Sequence, residues 1–206
     1  MMTNPFFSII IPTHNGADRI SKAIDSCLCQ SFTDFEVIVI LDACTDNTEN
    51  IIVRYCNQDQ RVSLIYADCH RDGLARNRGI DIAHGKYIIF LDDDDWFLHE
   101  FVFRQMHNAL KDADYDVFNY AIIWRTVGYR SDPPGVFVPM VAGHVWKRSF
   151  IADTRFDDGQ YSSDLRFLQK LIDKHPDGIW SALPMYYYNY LRPGSLSDLH
   201  KKGVIE

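Results

Sequence analysis

Four consecutive aspartates, Asp92 to Asp95, stand between the apolar run Tyr87-Ile88-Ile89-Phe90-Leu91 and Trp96. Carboxylates packed this closely are costly, since two unit charges about 4 Å apart repel by roughly 4 kcal/mol at an effective dielectric near 20. Such a run raises its pKa values, splays into water or holds a cation. A hard divalent ion carrying a phosphate, Mn2+ or Mg2+, would relieve the repulsion well, because these ions choose oxygen ligands. The competing reading is a solvated loop whose last acid, Asp95, caps the helix that follows.

Other polar residues gather at similar places. Pro12-Thr13-His14-Asn15 follows an apolar run, and Asp42 follows another. A carboxylate at Asp42 can accept an N–H from a base edge, whereas an Asx-turn or cap suits Asp46 or Asn47 better. In Gly73-Leu74-Ala75-Arg76-Asn77-Arg78-Gly79 the two arginines lie at i and i+2 of a helix, so at most one faces a given phosphate. Arg76 is nearer the acidic run, and Arg78 reads as solvated. Asp164, at the start of a helical pattern, reads by itself as an ordinary N-terminal helix acid. His14, His144 and His200 have no metal-ligand spacing. Neither GxGxxG nor GxxxxGK[ST] occurs, so a diphosphate would need a metal and basic side chains in place of a glycine cradle. Ser195 lacks the GxSxG elbow, and no cysteine has an evident histidine partner.

The elements that must position these residues alternate. Phe7–Ile11, Phe35–Leu41, Val62–Tyr66 and Tyr87–Leu91 read as strands. Helical patterns cover Ala17–Gln30, Thr48–Cys56, Gly73–Ala83 and His99–Leu110, the first with Ile20, Ile24 and Leu28 on one face. Near-continuous apolar strands separated by helices imply a parallel sheet covered on both faces. Ligands of such sheets bind beyond the carboxyl ends of the strands, where all three polar loops fall. The second half is less regular: a strand over Asp116–Trp124, a turn at Ser131–Gly135, a helix over Ser162–His175 and an aromatic strand at Tyr186–Tyr190.

A chain of 206 residues, 47% hydrophobic, suffices for one domain with a real core. Its charge of −7, from 28 acids and 21 bases, argues against a non-specific nucleic-acid binder. Five cysteines without a CxxC pair point to reduced packing residues and a cytoplasmic setting. Phe6–Ile11 closes at Pro12 and reads as a strand, with no signal peptide, and no apolar run approaches the roughly 18 residues of a membrane span.

In this order the motifs resemble family-2 glycosyltransferases of the GT-A fold, whose Rossmann-like, mostly parallel sheet is flanked by helices. The matching text is Ser8 to Asn15, Gln30 to Val39, Asp42 to Thr48, Gly73 to Ile80 and Gly85 to Trp96. Gly143 to Ser149 and Tyr186 to Ser197 resemble the acceptor-side and closing segments more weakly. The resemblance implies a single domain over 1–206, with a nucleotide-sugar half (1–110) and an acceptor-side half (111–206). It makes Asp92-Asp93-Asp94 the DxD-type motif, with Asp94 and Asp92 toward the metal and Asp93 toward the nucleotide. Pro12, Thr13, His14 and Asn15 would line the nucleoside pocket, Asp42 would read the base, and Arg76 would lie near the diphosphate. Asp164 would be the catalytic base, and Arg192 and Ser195 would come from a closing segment.

The implied reaction is metal-dependent, inverting transfer from a UDP-sugar to a hydroxyl of a glycan or lipid-linked acceptor, with peripheral membrane association in the lipid-linked case. Two departures stand out: Leu41-Asp42-Ala43-Cys44 replaces the usual Asp-Asp-Gly-Ser, and Ser163 replaces a Glu before Asp164. A nucleotidyltransferase is one rival, which should carry a glycine-rich basic loop after the first strand. A non-catalytic nucleotide-sugar or glycan-binding module is the other, kept open by the altered Asp42 loop.

Overall fold

A computed structural model of the chain describes residues 4–125, 128–130, 140–159, 162–189, 192–193 and 201–202. The first half runs β1 (Phe7–Thr13), α1 (Ile20–Leu28), β2 (Phe35–Asp42), α2 (Thr48–Gln58), β3 (Val62–Ala67), α3 (Asp72–Ile82), β4 (Tyr87–Phe90), β5 (Trp96–Phe97) and α4 (Val102–Leu110). The second half adds β6 (Val117–Trp124), β7 (Gly128–Arg130), β8 (His144–Lys147), α5 (Arg148–Ile151), α6 (Ser163–Ile172) and β9 (Gly178–Tyr188).

Among the described residues one sheet forms, ordered β3-β2-β1-β4-β8-β6-β9-β5, with β7 paired to β6. The β3-β2-β1-β4 portion is parallel, as the apolar runs imply. Every residue of β1 is buried, so side chains alternate between two covered faces. Phe7, Ile9 and Ile11 pack with Val37 and Val39 under α1 and α4. Ile10, Ile38, Ile40, Ile88 and Phe90 pack on the opposite face with α3 and with Phe167, Leu168 and Leu171 of α6.

Register places the site. Thr13 pairs with Leu41 and Asp42 with Ala67, so β1, β2 and β3 end at one level. The backbone N–H of Leu91 donates to Ile10 O at 3.0 Å, which brings the aspartate run to the same edge.

The second half departs from the sequence reading. β8 is an antiparallel strand between β4 and β6, which makes the sheet mixed. Its four residues carry no turn punctuation and were not separable from their surroundings. The aromatic strand starts earlier than expected, at Gly178, and runs parallel to β6. Its register shifts between Tyr120–Ser181 and Ala121–Pro184, and such an irregularity is where a strand tolerates proline. The helix expected from His99 begins at Val102, after the unforeseen short strand β5, which pairs with Tyr186 and Tyr187. Ser131–Gly135, Tyr190, Ser195 and His200 lie outside the described residues.

Candidate active site

The four aspartates form a turn, closed by the Asp95 N–H donating to Asp92 O at 3.1 Å. Asp92 and Asp94 are half-buried, while Asp93 and Asp95 are buried. Each carboxylate has partners of its own. Asp92 Oδ1 accepts from Arg76 Nη2 at 2.6 Å, and Asp94 Oδ2 from Arg192 Nε at 2.7 Å. Asp93 accepts from Thr13 Oγ1 at 2.6 Å and from Arg19 Nε at 2.7 Å. Asp95 accepts from the Tyr186 hydroxyl at 2.7 Å and from the Asn189 N–H at 2.8 Å.

Asp95 therefore caps no helix. It binds the end of β9 to the turn, because its carboxylate points inward and α4 begins seven residues later. Three arginines from distant parts of the chain balance the remaining charge, a solution invisible in the local sequence. Burial pushes Asp93 up to about 6 against the opposing pull of Arg19 and Thr13. Burial also raises Asp94 despite Arg192, and it raises Asp95 well above the carboxylate range, helped by the charges of Asp92 and Asp94. Among the described residues no group of three or more His, Cys, Asp or Glu is placed to enclose a metal ion.

The predicted nucleoside residues separate into two kinds. Pro12 and Thr13 are buried within β1, and the Thr13 hydroxyl is committed to Asp93. His14 is exposed and Asn15 half-buried, so these two present surface to solvent at the carboxyl end of β1. His14 Nδ1 lies 2.7 Å from Asp42 O, and Asn15 Oδ1 accepts from the Thr45 N–H at 2.8 Å. Asn15 adopts φ 49°, a left-handed conformation that asparagine tolerates better than most residues.

Asp42 is almost fully buried. Its Oδ1 accepts from the N–H groups of Cys69 at 2.6 Å and His70 at 3.0 Å, and its Oδ2 from Arg71 N–H at 3.1 Å. An ionised carboxylate offers about four lone-pair sites, and three are spent on the loop that leads into α3. This carboxylate anchors that loop and keeps about one acceptor position for a further partner.

Arg76 is buried on α3 and joins the acidic turn to α6. Its Nη1 lies 3.3 Å from Asp164 Oδ1, its guanidinium stacks 5.6 Å from the Phe156 ring centre, and its Nε has no partner. Burial disfavours its charge, but Asp164, Asp92 and Asp72 hold it protonated. The Asp164 side chain remains 26% exposed, so an incoming group can reach it. Burial nevertheless raises its pKa, with Arg76 opposing. Its Oδ2 accepts from the Val141 N–H at 3.3 Å. Arg78 is exposed, as its position relative to Arg76 implies, and His144 is a core residue whose ring meets Asn119 Oδ1 at 2.5 Å. Arg76, Asp92 and Asp164, read separately in the sequence, thus meet at one point.

Residues 8–167 match the family model for glycosyl transferase family 2. The chain belongs to that family. The uncharacterized glycosyltransferase YibD of Escherichia coli K12 is 30% identical over 95% of this chain and 64% of its own length. The putative teichuronic acid biosynthesis glycosyltransferase TuaG of Bacillus subtilis is 37% identical over 46% of this chain and 38% of its own. The chain thus spans less than two thirds of these curated relatives. Among solved structures, S. aureus TarS 1–349 in complex with UDP-GlcNAc superposes with a TM-score of 0.82 at 20% identity, over 93% of this chain and 60% of that one. The mannosyltransferase PcManGT of Pyrobaculum calidifontis, in complex with GDP-Man and Mn2+, gives 0.74 at 17% identity over 94% and 59%. The fold is GT-A.

Two residues of this family-2 site had no signal in the sequence. Arg19 and Tyr186 reach the aspartate run from 74 and 91 positions away. Nothing local distinguishes them from a surface arginine and an aromatic strand residue.

Proposed function

We propose that the chain transfers a sugar from a UDP-sugar to a hydroxyl of a glycan or lipid-linked acceptor, with inversion at the anomeric carbon. The observation that carries this reading is the convergence of Asp164 and Asp92, the latter in the turn that also carries Asp94, on one Arg76 guanidinium. Asp164 is the catalytic base. Burial raises its pKa against the pull of Arg76, which moves it toward the working range of a general base that takes the acceptor proton. Arg76 is already desolvated and positively charged, so its charge acts at close range on a diphosphate held beside Asp92.

Asp94 and Asp92 are the two half-buried acids of the turn. Their oxygens suit a hard divalent ion that completes its shell with diphosphate oxygens and water, the usual arrangement where one or two carboxylates are supplied. When bound, Mn2+ or Mg2+ would lend positive charge to the departing diphosphate. One carboxylate base then suffices, without the second carboxyl of a glycosidase. His14 and Asn15 border the nucleoside side. TarS with UDP-GlcNAc and PcManGT with GDP-Man both support a nucleotide-sugar donor for this fold. No helix among the described residues is long and apolar enough to cross a membrane, and a lipid-linked acceptor would bring the protein to the inner membrane face from the cytoplasm.

Incubation with Mn2+ and a panel of UDP- and GDP-sugars tests the reading through slow donor hydrolysis. Turnover of a UDP-sugar is expected. Turnover of GDP-sugars alone overturns the choice of nucleotide, and binding without turnover of any donor makes the chain a binding module.

A further inference from the structure

We propose that Arg19 is a positioning residue: through Asp93 it locks the loop carrying His14 and Asn15 to the turn carrying Asp92 and Asp94. The proposal's statement about ligands rests on the nucleotide-sugar reading above.

One guanidinium makes four contacts. Nε donates to Asp93 Oδ1 at 2.7 Å, Nη1 to Asn15 O at 2.8 Å and to Asp18 Oδ1 at 3.0 Å, and Nη2 to His14 O at 3.1 Å. Two of these acceptors are the backbone carbonyls of the residues placed at the nucleoside edge. A further one is Asp93, the acid between the two half-buried carboxylates Asp92 and Asp94. The Arg19 and Asp93 side chains are only 17% and 11% exposed, so water competes weakly for the contact.

The junction is tight on its other side as well. The second Asp93 oxygen takes the Thr13 hydroxyl, and Gly16 leaves no room between them. A Cβ at Gly16 would overlap Thr13 Oγ1 and lie 2.6 Å from Asp93 Oδ2. The Gly16 N–H donates to Thr48 Oγ1 at 2.8 Å, which ties the same loop to the start of α2. Both Asp93 oxygens are taken up by Arg19 and Thr13, and three of the four Arg19 contacts go to the loop carrying His14 and Asn15. They fix the distance between two sets of groups that would each hold a different end of one nucleotide diphosphate. Binding groups held in place by supporting contacts lose less ordering entropy when the ligand arrives.

The test uses the full chain with Arg19→Gln, Asp93→Asn, the double variant and the milder Arg19→Lys. Hydrogen exchange without ligand reports the lock itself. Residues 13–19 and 92–96 should exchange faster together in either single variant, and the double variant should add little. Calorimetry then compares UDP with Mn2+ against uridine. UDP affinity should fall about tenfold while uridine affinity stays within about twofold, because only UDP spans both loops. Arg19→Lys keeps the charge but not the fork, so it should fall between and remain measurable if Arg19→Gln does not fold. Unchanged exchange, loosening of one segment alone, or equal losses for UDP and uridine each overturn the proposal. A wild type that binds no UDP refutes the nucleotide-sugar reading instead, and the exchange measurement then decides the lock without it.

Discussion

Arg76 Nη1 lies 3.3 Å from Asp164 Oδ1, joining residues 88 positions apart, while Nη2 of the same guanidinium meets Asp92 at 2.6 Å. The two distances differ in consequence. The short contact holds Asp92 firmly, whereas the longer one leaves Asp164 free to exchange partners as an acceptor hydroxyl approaches.

Asp164→Asn should therefore lower transfer by about 10^2- to 10^4-fold, the usual range for losing a general base, with UDP binding retained. The pH profile carries the same signature. Asp164 acts ionised and burial raises its pKa, so kcat/KM should fall as the pH drops through a limb above the ordinary carboxylate range. Arg76→Lys removes the planar fork and should weaken UDP binding as well as rate. Turnover near the wild-type level in Asp164→Asn would remove this residue from the mechanism.

Asp42 separates a structural from a recognition role. Asp42→Ala removes the acceptor of three backbone N–H groups in half-buried or exposed residues, where water replaces part of what is lost, so the cost lies nearer about 0.5–1.5 kcal/mol for each bond. Urea denaturation should record a loss of about 1–3 kcal/mol. Asp42→Asn keeps one acceptor oxygen and should lose less, with its preference between UDP and GDP unchanged. A change of nucleotide preference at unaltered stability would restore Asp42 as the base reader.

How far the sequence reached follows from the range of the interactions. β1, β2, α1 and the end level of the strands are encoded within windows of ten residues, as in the Ile20, Ile24, Leu28 stripe, and periodicity reveals them. The four aspartates show the opposite case. Their adjacency signals repulsion, but the relief comes from Arg19, Arg76, Arg192 and Tyr186, which only the closed sheet brings near. Asp42 is similar: its burial was legible from nothing local, because the loop it satisfies begins 27 residues later. β8 and the start of β9 escaped because Pro184, Ser181 and Ala182 dilute the strand pattern, and pairing with β6 overrides local preference.

Gly79 tests how α3 sets the position of Arg76. A Cβ there would overlap Ile10 Cγ2 and lie 3.1 Å from Cδ1 and Cγ1, so α3 touches β1 through a bare backbone. Gly79→Ala gains about 1 kcal/mol in helix propensity, and overpacking costs about 1–3 kcal/mol. Net destabilisation is expected, with weaker UDP binding because Arg76 lies one turn away on the same helix. Calorimetric unfolding that shows a higher Tm would mean the helix can step away from the sheet without cost.

Asp157 and Arg166 give a pH test at the base of α6, two residues past Asp164. Arg166 binds both oxygens, Nε to Oδ2 at 2.5 Å and Nη2 to Oδ1 at 2.8 Å, and this pairing holds Asp157 at about 2. The folded pKa lies below the unfolded value, so the folded state binds fewer protons across the interval between them. The contribution is fully present above about pH 4 and is lost as the pH falls through 2. Both side chains are substantially exposed, at 30% and 43%, so solvent and salt screen the pair and the effect is small. The Tm of Asp157→Asn should lie below wild type near neutral pH, approach it as acid titrates Asp157, and approach it also in high salt. A gap that persists unchanged in acid would mean that Asp157 acts through the Gly159 N–H it accepts at 3.0 Å, and not through the charge of Arg166.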